Sequence, residues 1–448
     1  GWMTLNKLDL GFGLSFSDLY ERGGLEKTDQ AFLVHLDAAD AVLGGALRKA
    51  RENPGALERL EESELISGIA PHLESFVACL FGIEKDVAAL IDAHDELAPI
   101  YRVKREFVRR QALKGAKAEE LEALDIAPIT AKLEGYIGGA ITDLSFARAV
   151  EKLQAAQEAG EESASELLAD AKTYAAWATL TNAGKARHPG ATLFNAANKI
   201  DRARMIPHLH TAEENGQTVH TLPESHLRQR NGFELTDCGG DLNLALDQAN
   251  YCIWCHKQGK DSCSKGLRER KPAEGKDKPD FQINEQAVRL AGCPLEEKIS
   301  EFQLAKSQGH PIGAFAIITV DNPMVAGTGH RICNDCVKSC IYQKQDPVNI
   351  PQVETRTLKD VLGLPWGFEI YSLLTRWNPL NIARPLPLAD SGRKVLVVGM
   401  GPAGYTLAHY LINSGHTVVG IDGLKIEPLP SVLTGVERDG TRVPFRPI

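Results

Sequence analysis

Seven of the nine cysteines in this 448-residue chain fall between positions 252 and 340, and that crowding limits what the region can become. Cys252-Ile-Trp-Cys255 opens the run and Cys263 follows after seven residues. Cys293-Pro294 comes after a long insertion, and Cys333-Asn-Asp-Cys336-Val-Lys-Ser-Cys340 closes it. A secreted disulfide scaffold is shorter and denser in cysteine, whereas clustered cysteines in a long chain more often bind metal. Thiolates are soft ligands suited to iron–sulfur clusters or zinc. A C-x2-C pair lets two thiolates converge on one centre from a tight turn. The C-x3-C pair Cys336/Cys340 predicts two thiolates on one helical face, a turn apart.

A zinc ribbon pairs two C-x2-C turns across about 15–20 residues. Cys252/Cys255 and Cys333/Cys336 lie much further apart, and seven thiols exceed one tetrahedral site. A cysteine followed by proline, as at Cys293-Pro294, recurs in cluster-binding runs, where the last cysteine can ligate a different cluster from its predecessors. Iron–sulfur ligation is therefore preferred to zinc. Cys79 reads as a buried helix residue packed as a small hydrophobe, and Cys238 stands apart as a reserve ligand for Cys263.

A second motif lies nearer the end of the sequence. Lys394-Val-Leu-Val-Val398 reads as a buried strand and runs directly into Gly399-Met-Gly401-Pro402-Ala403-Gly404. A helical pattern continues through Leu407, Tyr410 and Leu411 to Gly415, and a second strand, Thr417–Ile421, ends at Asp422. The first glycine makes the turn, the second admits a pyrophosphate and the third lets helix and strand pack closely. Asp422 stands where an acid takes the ribose hydroxyls. This is the strand–turn–helix–strand–acid pattern of a dinucleotide site.

The first half reads as helices. Phe32, Leu33, Leu36, Ala39, Val42 and Leu43 recur at helical spacing, as do Ile66, Ile69, Leu73, Phe76, Val77 and Leu80. Ser163 with Glu166 predicts a capping box for a helix reaching about Asn182, with Gly184 as its stop. The basic stretch Tyr101–Arg110 reads as a solvated helix face. His208, His210, His220 and His226 lie in a polar, glycine- and proline-broken region that predicts a loop packed over the next domain. A helix over Asp241–Gln248 delivers the chain into the cysteines. Lys265–Asp280 reads as a surface excursion.

Net charge is −9, with 43% hydrophobic and 24% charged residues, which is ordinary for a globular chain and gives no reason to expect nucleic-acid binding. No uninterrupted apolar run approaches the ~18 residues of a membrane span. The start, Gly1-Trp2-Met3-Thr4, lacks the features of a secretory signal, so the expected compartment is the cytoplasm.

The segment Cys252–Thr357 carries Gly292-Cys293-Pro294-Leu295, Gly329-His330-Arg331-Ile332-Cys333 and Pro347-Val348-Asn349-Ile350. It resembles the N-terminal cluster domain of the glutamate synthase small subunit and of dihydropyrimidine dehydrogenase. The likeness covers roughly the last two hundred residues and not the first half. It implies a helical N-terminal region (1–200), a helical dicluster ferredoxin domain with two 4Fe-4S clusters (201–385), and the start of an α/β Rossmann-type FAD domain (386–448). The resemblance implies one cluster on Cys252, Cys255, Cys263 and Glu354, and another on Cys293, Cys333, Cys336 and Cys340. It favours FAD over NAD at Gly399, Gly401, Pro402, Ala403, Gly404 and Asp422, with NAD(P)H bound in a region beyond this sequence, as in a fragment or one component of a larger enzyme.

The function this implies is the electron-transfer portion of an NAD(P)H-dependent flavin iron–sulfur oxidoreductase. Its partners would be a nicotinamide dinucleotide and an electron-acceptor domain or subunit, with no membrane span. No acid–base or nucleophile constellation stands out. The alternatives are a non-catalytic iron–sulfur structural or redox-sensing module that recruits a partner through its helical half, and a zinc-stabilised binding protein.

Overall fold

The computed structural model describes residues 9–201, 204–206, 209–227, 229–423 and 430–444. The start at Gly1–Thr4 and His208 lie outside the described residues. Residues 9–201 are built from helices α1 (Arg22–Ala39), α2 (Ala41–Glu52), α3 (Arg59–Phe81), α4 (Glu84–Val103), α5 (Ala118–Glu122), α6 (Ala127–Ile137), α7 (Asp143–Glu158), α8 (Glu162–Leu180) and α9 (Asn182–Arg187). A π-helix, Lys104–Ala112, continues α4. The pattern predicted across Phe32–Leu43 is broken at Asp40, whose side chain caps α2 by accepting from Leu43 N at 2.9 Å. Val42 is consequently 84% exposed, while Phe32 and Leu36 are buried.

Helix α3 is long and apolar enough to cross a membrane by length and composition alone. Here it is a core helix: Ile66, Ile69, Leu73, Phe76, Val77 and Leu80 are fully buried in the protein. Each such side chain contributes roughly 1.5–3 kcal/mol of transfer free energy. The helix stops at Gly82 in the left-handed conformation.

Two expectations about α8 fail. Its N-cap is Glu161, without a side-chain cap, because Ser163 already lies inside the helix and Glu166 turns outward to Lys132 at 2.7 Å. Gly184 lies within α9, whose cap is Thr181, and is buried so tightly that a Cβ would meet Trp177 O.

After α9 an Asn215-Gly216 turn joins strands β1 (His210–Glu214) and β2 (Gln217–Thr221) into an antiparallel hairpin. The hairpin is exposed, so the predicted packed loop is instead a solvated ribbon carrying His210 and His220. The cysteine region follows on α10 (Leu242–Tyr251), α11 (Ser262–Lys265), α12 (Ile299–Ser307), α13 (Pro311–Asp321), α14 (Val325–Thr328), α15 (Asp335–Lys338), α16 (Ile350–Gly363) and α17 (Gly367–Arg376).

The hydrophobic cores cut across the expected boundary at residue 200. One core joins Leu14–Val87 to Ala249–Ile382, and the other holds Ile100–Phe194 with Leu246. Polar contacts stitch the first core across sequence. Glu74 of α3 accepts from Ile312 N (2.7 Å) and Gly313 N (3.3 Å), satisfying orphan donors at the start of α13. Trp377 Nε1 donates to Asp29 Oδ1 at 2.9 Å, and Asp29 pairs with Arg51 at 2.7 Å.

Beyond α17, β3 (Lys394–Val398) and β4 (Thr417–Ile421) pair in parallel, in register from Lys394↔Thr417, around α18 (Pro402–Asn413). A short α19 (Ser431–Thr434) follows. The strand predicted as buried is mostly exposed: Val397 is buried, but Leu396 and Val398 are 60% and 75% exposed.

Candidate metal centre

The seven clustered cysteines separate into two nests. Cys252, Cys255, Cys263 and Cys340 line one small cavity together with Ile253, Ile299, Gln303 and Tyr342. Cys293, Cys333, Cys336 and Glu354 line a larger cleft, shared with Glu297 and with Pro402, Ala403, Thr406 and Tyr410 of α18. This grouping differs from the expected sets, since Cys340 lines the first cavity and Glu354 the second. All seven are free thiols. They line cavities rather than meeting at a point: among the described residues no three His, Cys, Asp or Glu side chains form a single-ion site.

Local backbone explains the sorting. In Cys252-Ile-Trp-Cys255 the left-handed Trp254 (φ 53°) folds the turn so that both thiols face one cavity, and Trp254 N donates to Cys252 Sγ at 3.4 Å. Asn334 (φ 59°) does the same between Cys333 and Cys336. Trp254, Glu296, His330, Arg331 and Asn334 are five of the nine described non-glycine residues with positive φ. Strained backbone of this kind concentrates at functional sites.

Helix α15 ends at Lys338, before Cys340, so Cys336 and Cys340 do not share a helical face. Ser339, buried, takes Gly292 N at 3.0 Å, and the turn beyond it sends Cys340 into the first nest. The insertion between Cys263 and Cys293 closes on itself, with Leu267 N to Leu290 O at 2.9 Å and Glu269 N to Asp280 O at 2.8 Å. Its two ends meet where Cys293 N donates to Cys263 O at 2.9 Å. Gly292 (φ 83°) makes that closure possible, because a Cβ there would lie 2.5 Å from Gly266 N. Cys263 therefore lines the first nest, while Cys238 is exposed and lines neither. Cys79 is half-buried.

Burial governs the electrostatics. It pushes Cys255 up to about 11 and Cys293 up to about 12, and raises Cys252, Cys263, Cys336 and Cys340 as well. Burial also lifts Glu354 to about 7, and burial with the nearby Glu354 charge holds Glu297 well above the carboxylate range. In the first nest burial thus favours the protonated form of all four thiols, and in the second it does so for Cys293, Cys336 and Glu297. A polycationic centre would displace those protons and compensate the anions left behind.

Unpartnered buried atoms point the same way. Both ends of the Gln303 amide and the Ser262 hydroxyl, at the first nest, have no hydrogen-bond partner. At the second nest Glu297 Oε1, Asn334 Oδ1 and Thr406 Oγ1 are likewise unpaired. Such groups each cost about 1–3 kcal/mol if left so. The donor set, its burial and these orphans fit two thiolate-held clusters. Glu354 is oriented by Asn322 Nδ2, which donates to Oε1 at 3.2 Å.

At the glycine motif, a Cβ on Gly404 would lie 1.7 Å from Gly399 O, so only glycine allows this approach of helix to turn. The space beside Gly401 is open. Asp422 Oδ2 accepts from Met400 N at 2.6 Å, bracing the turn. Pro402 and Ala403 begin α18 and face the second nest's cleft.

Spacing did not reveal four contributors. Glu297 is visible only as the second acid after Cys293-Pro294, and Gln303 carries no sequence signal. Arg59 and Arg105 reach the first nest from the helical half: Arg59 pairs with Asp261, and Arg105 contacts Trp254 and the Cys252 carbonyl. The basic stretch is thus only partly the solvated face expected, since Lys104 also turns inward to Asp247 at 2.6 Å.

Residues 10–82 match a family described as the RP005 N-terminal alpha-helical domain. A protein of Rickettsia prowazekii (strain Madrid E), "Uncharacterized protein RP006", is 65% identical over 106 residues, covering 24% of this chain and 15% of RP006. The glutamate synthase [NADPH] small chains of Mycobacterium tuberculosis and Bacillus subtilis (strain 168) are 31% and 33% identical over 128 and 130 residues. Those matches cover 28% and 29% of this chain and 23% of each small chain, a weak and partial likeness. No solved structure matches the chain. "Uncharacterized protein RP005" of Rickettsia prowazekii is 32% identical over 309 residues, 67% of this chain and 99% of its own length, so this chain belongs to the RP005 family.

Proposed function

We propose that the chain is the electron-transfer part of an NAD(P)H-dependent flavin iron–sulfur oxidoreductase, with a 4Fe-4S cluster in each nest and FAD at the glycine motif. The observation that carries this reading is the gathering of seven cysteines and Glu354 into two nests of four, the first buried and the second in an open cleft. The partial likeness to glutamate synthase [NADPH] small chains supports a redox role. We read residues 386–448 as the first βαβ unit of a Rossmann-type domain.

When bound, the clusters would supply one-electron chemistry and the flavin hydride chemistry. Cys252, Cys255, Cys263 and Cys340 would hold the first cluster; Cys293, Cys333, Cys336 and Glu354 the second. Ile253, Ile299, Val348 and Ile350 exclude water from the first nest, and the Gln303 amide offers it a hydrogen bond. The start of α18 presents backbone donors to a pyrophosphate and lines the same cleft as the second nest, so the dinucleotide unit serves that nest. An acceptor domain or subunit and a nicotinamide dinucleotide are the partners this arrangement requires.

Protein prepared anaerobically should carry about eight irons and matching sulfide per chain, the sum of two four-iron clusters. Stoichiometric zinc without labile sulfide would overturn the reading.

A further inference from the structure

We propose that Arg105 is a positioning residue for the first nest, holding its C-x2-C turn in place and raising the reduction potential of the centre bound there. The inference rests on the function proposed above. The Arg105 guanidinium lies 3.9 Å from the centroid of the Trp254 ring, inside the Cys252–Cys255 turn. Its Nη1 donates to Asn250 O at 3.2 Å and to Cys252 O at 3.4 Å. Trp254 is held from the other side by its indole N–H, which donates to Ala249 O at 3.2 Å. Arg105 therefore clamps a turn whose central residue has left-handed backbone, a conformation that needs outside support.

The segment carrying Arg105 is the nine-residue π-helix, a form that recurs at functional sites. Two more of its cations face the same surface. Lys104 pairs with Asp247, and Arg109 lies 4.8 Å over Tyr251, which stacks on Tyr342 of the first nest at 4.5 Å. Arg59 also reaches this nest, but the buried Asp261 neutralises it. The carboxylate nearest Arg105 is Glu106, at 3.6 Å, which is exposed and shared with Arg110. Arg105 is thus a cation in direct contact with the turn whose field acts on the nest, alongside Arg109 and Lys257, which lies 5.1 Å from the Trp254 ring centroid. The second nest faces the carboxyl groups of Glu297 and Glu354, and its own cation, Arg331, leans toward Asp237.

The sign follows from charge. Reduction adds one electron, hence one negative charge, to the centre in the first nest. A fixed guanidinium nearby stabilises the reduced form and raises the potential.

The test is a redox titration of the full chain, loaded anaerobically, with dithionite as reductant and the two clusters followed by electron paramagnetic resonance. Arg105→Met should lower the midpoint of one cluster, the one whose signal disappears in Cys340→Ala, and leave the other unchanged with iron content retained. Arg105→Lys, which keeps the charge, should recover most of the shift. Unchanged midpoints, or equal shifts of both clusters, would overturn the electrostatic role. The positioning role is read separately in metal-free protein, as the Trp254 emission obtained by difference from Trp254→Phe. Arg105→Met should change that emission and its quenching by acrylamide, and no change would overturn it. Absence of iron from the wild-type chain would refute the proposed function, while the Trp254 readout still decides the contact.

Discussion

Removing thiols in pairs distinguishes the two nests without any spectral assignment. The structure places Cys340 with Cys252 in a nest of four thiols, and Cys293 in a nest of three thiols and Glu354. Each nest would then carry half of about eight irons. Cys340→Ala should leave about four irons per chain, because three thiols no longer close the first nest. Adding Cys252→Ala should cost no further iron, since both changes empty the same nest. Adding Cys293→Ala to Cys340→Ala should bring iron close to zero. Two lesions in one unit are non-additive, whereas lesions in separate units add. The grouping implied by family resemblance predicts the opposite pattern, with Cys293/Cys340 retaining half and Cys252/Cys340 losing all. The assay is iron and labile sulfide on anaerobically desalted protein, with far-ultraviolet circular dichroism to show that the helices persist. The opposite pattern, or loss of all iron from Cys340→Ala alone, would refute the two-nest reasoning.

Gly401→Leu should fold normally, since the space beside it is open, yet abolish flavin retention by blocking pyrophosphate approach. Gly404→Ala should destabilise the βαβ unit by about 1–3 kcal/mol through overpacking, seen as faster limited proteolysis there; equal resistance would count against the helix–turn contact. Phe76 is fully buried and touches the rings of Phe12, Phe32 and Trp377. Phe76→Ala should cost about 3–5 kcal/mol in denaturant unfolding, and a loss below 1 kcal/mol on the order of a surface change would deny the shared core. His188, half-buried and 2.8 Å from the Tyr174 hydroxyl, is held below its usual value of 6.5 by burial and then Arg187. As pH falls below 6.5 the unfolded chain takes up this proton before the folded one, so stability declines by at most about 1.4 kcal/mol per pH unit. His188→Gln should flatten that decline between pH 7.5 and 5.5 on the order of one proton's share, and parallel melting curves would contradict it.

The alternation and spacing rules found the helical first half, the α10 segment and the strand–turn–helix–strand unit, because those patterns are local and repeat over a few residues. The same holds for the inventory of thiols: that Cys252 and Cys255, or Cys333 and Cys336, act together follows from a two-residue gap that only a tight turn can bridge. Glu354 was marked by the family resemblance and not by local chemistry, and the resemblance placed it with the other nest. What required the tertiary structure was every choice between distant partners. Cys340 left its helical neighbour because α15 ends at Lys338 and Ser339 is anchored on Gly292. Cys293 was returned to Cys263 by an insertion whose ends pair with each other. Residues 14–87 joined the cysteine region in one core, and Arg105 turned from solvent to Trp254. These outcomes depend on contacts between segments tens to hundreds of residues apart, where packing and burial outweigh local preference and spacing along the chain carries no information about distance in space.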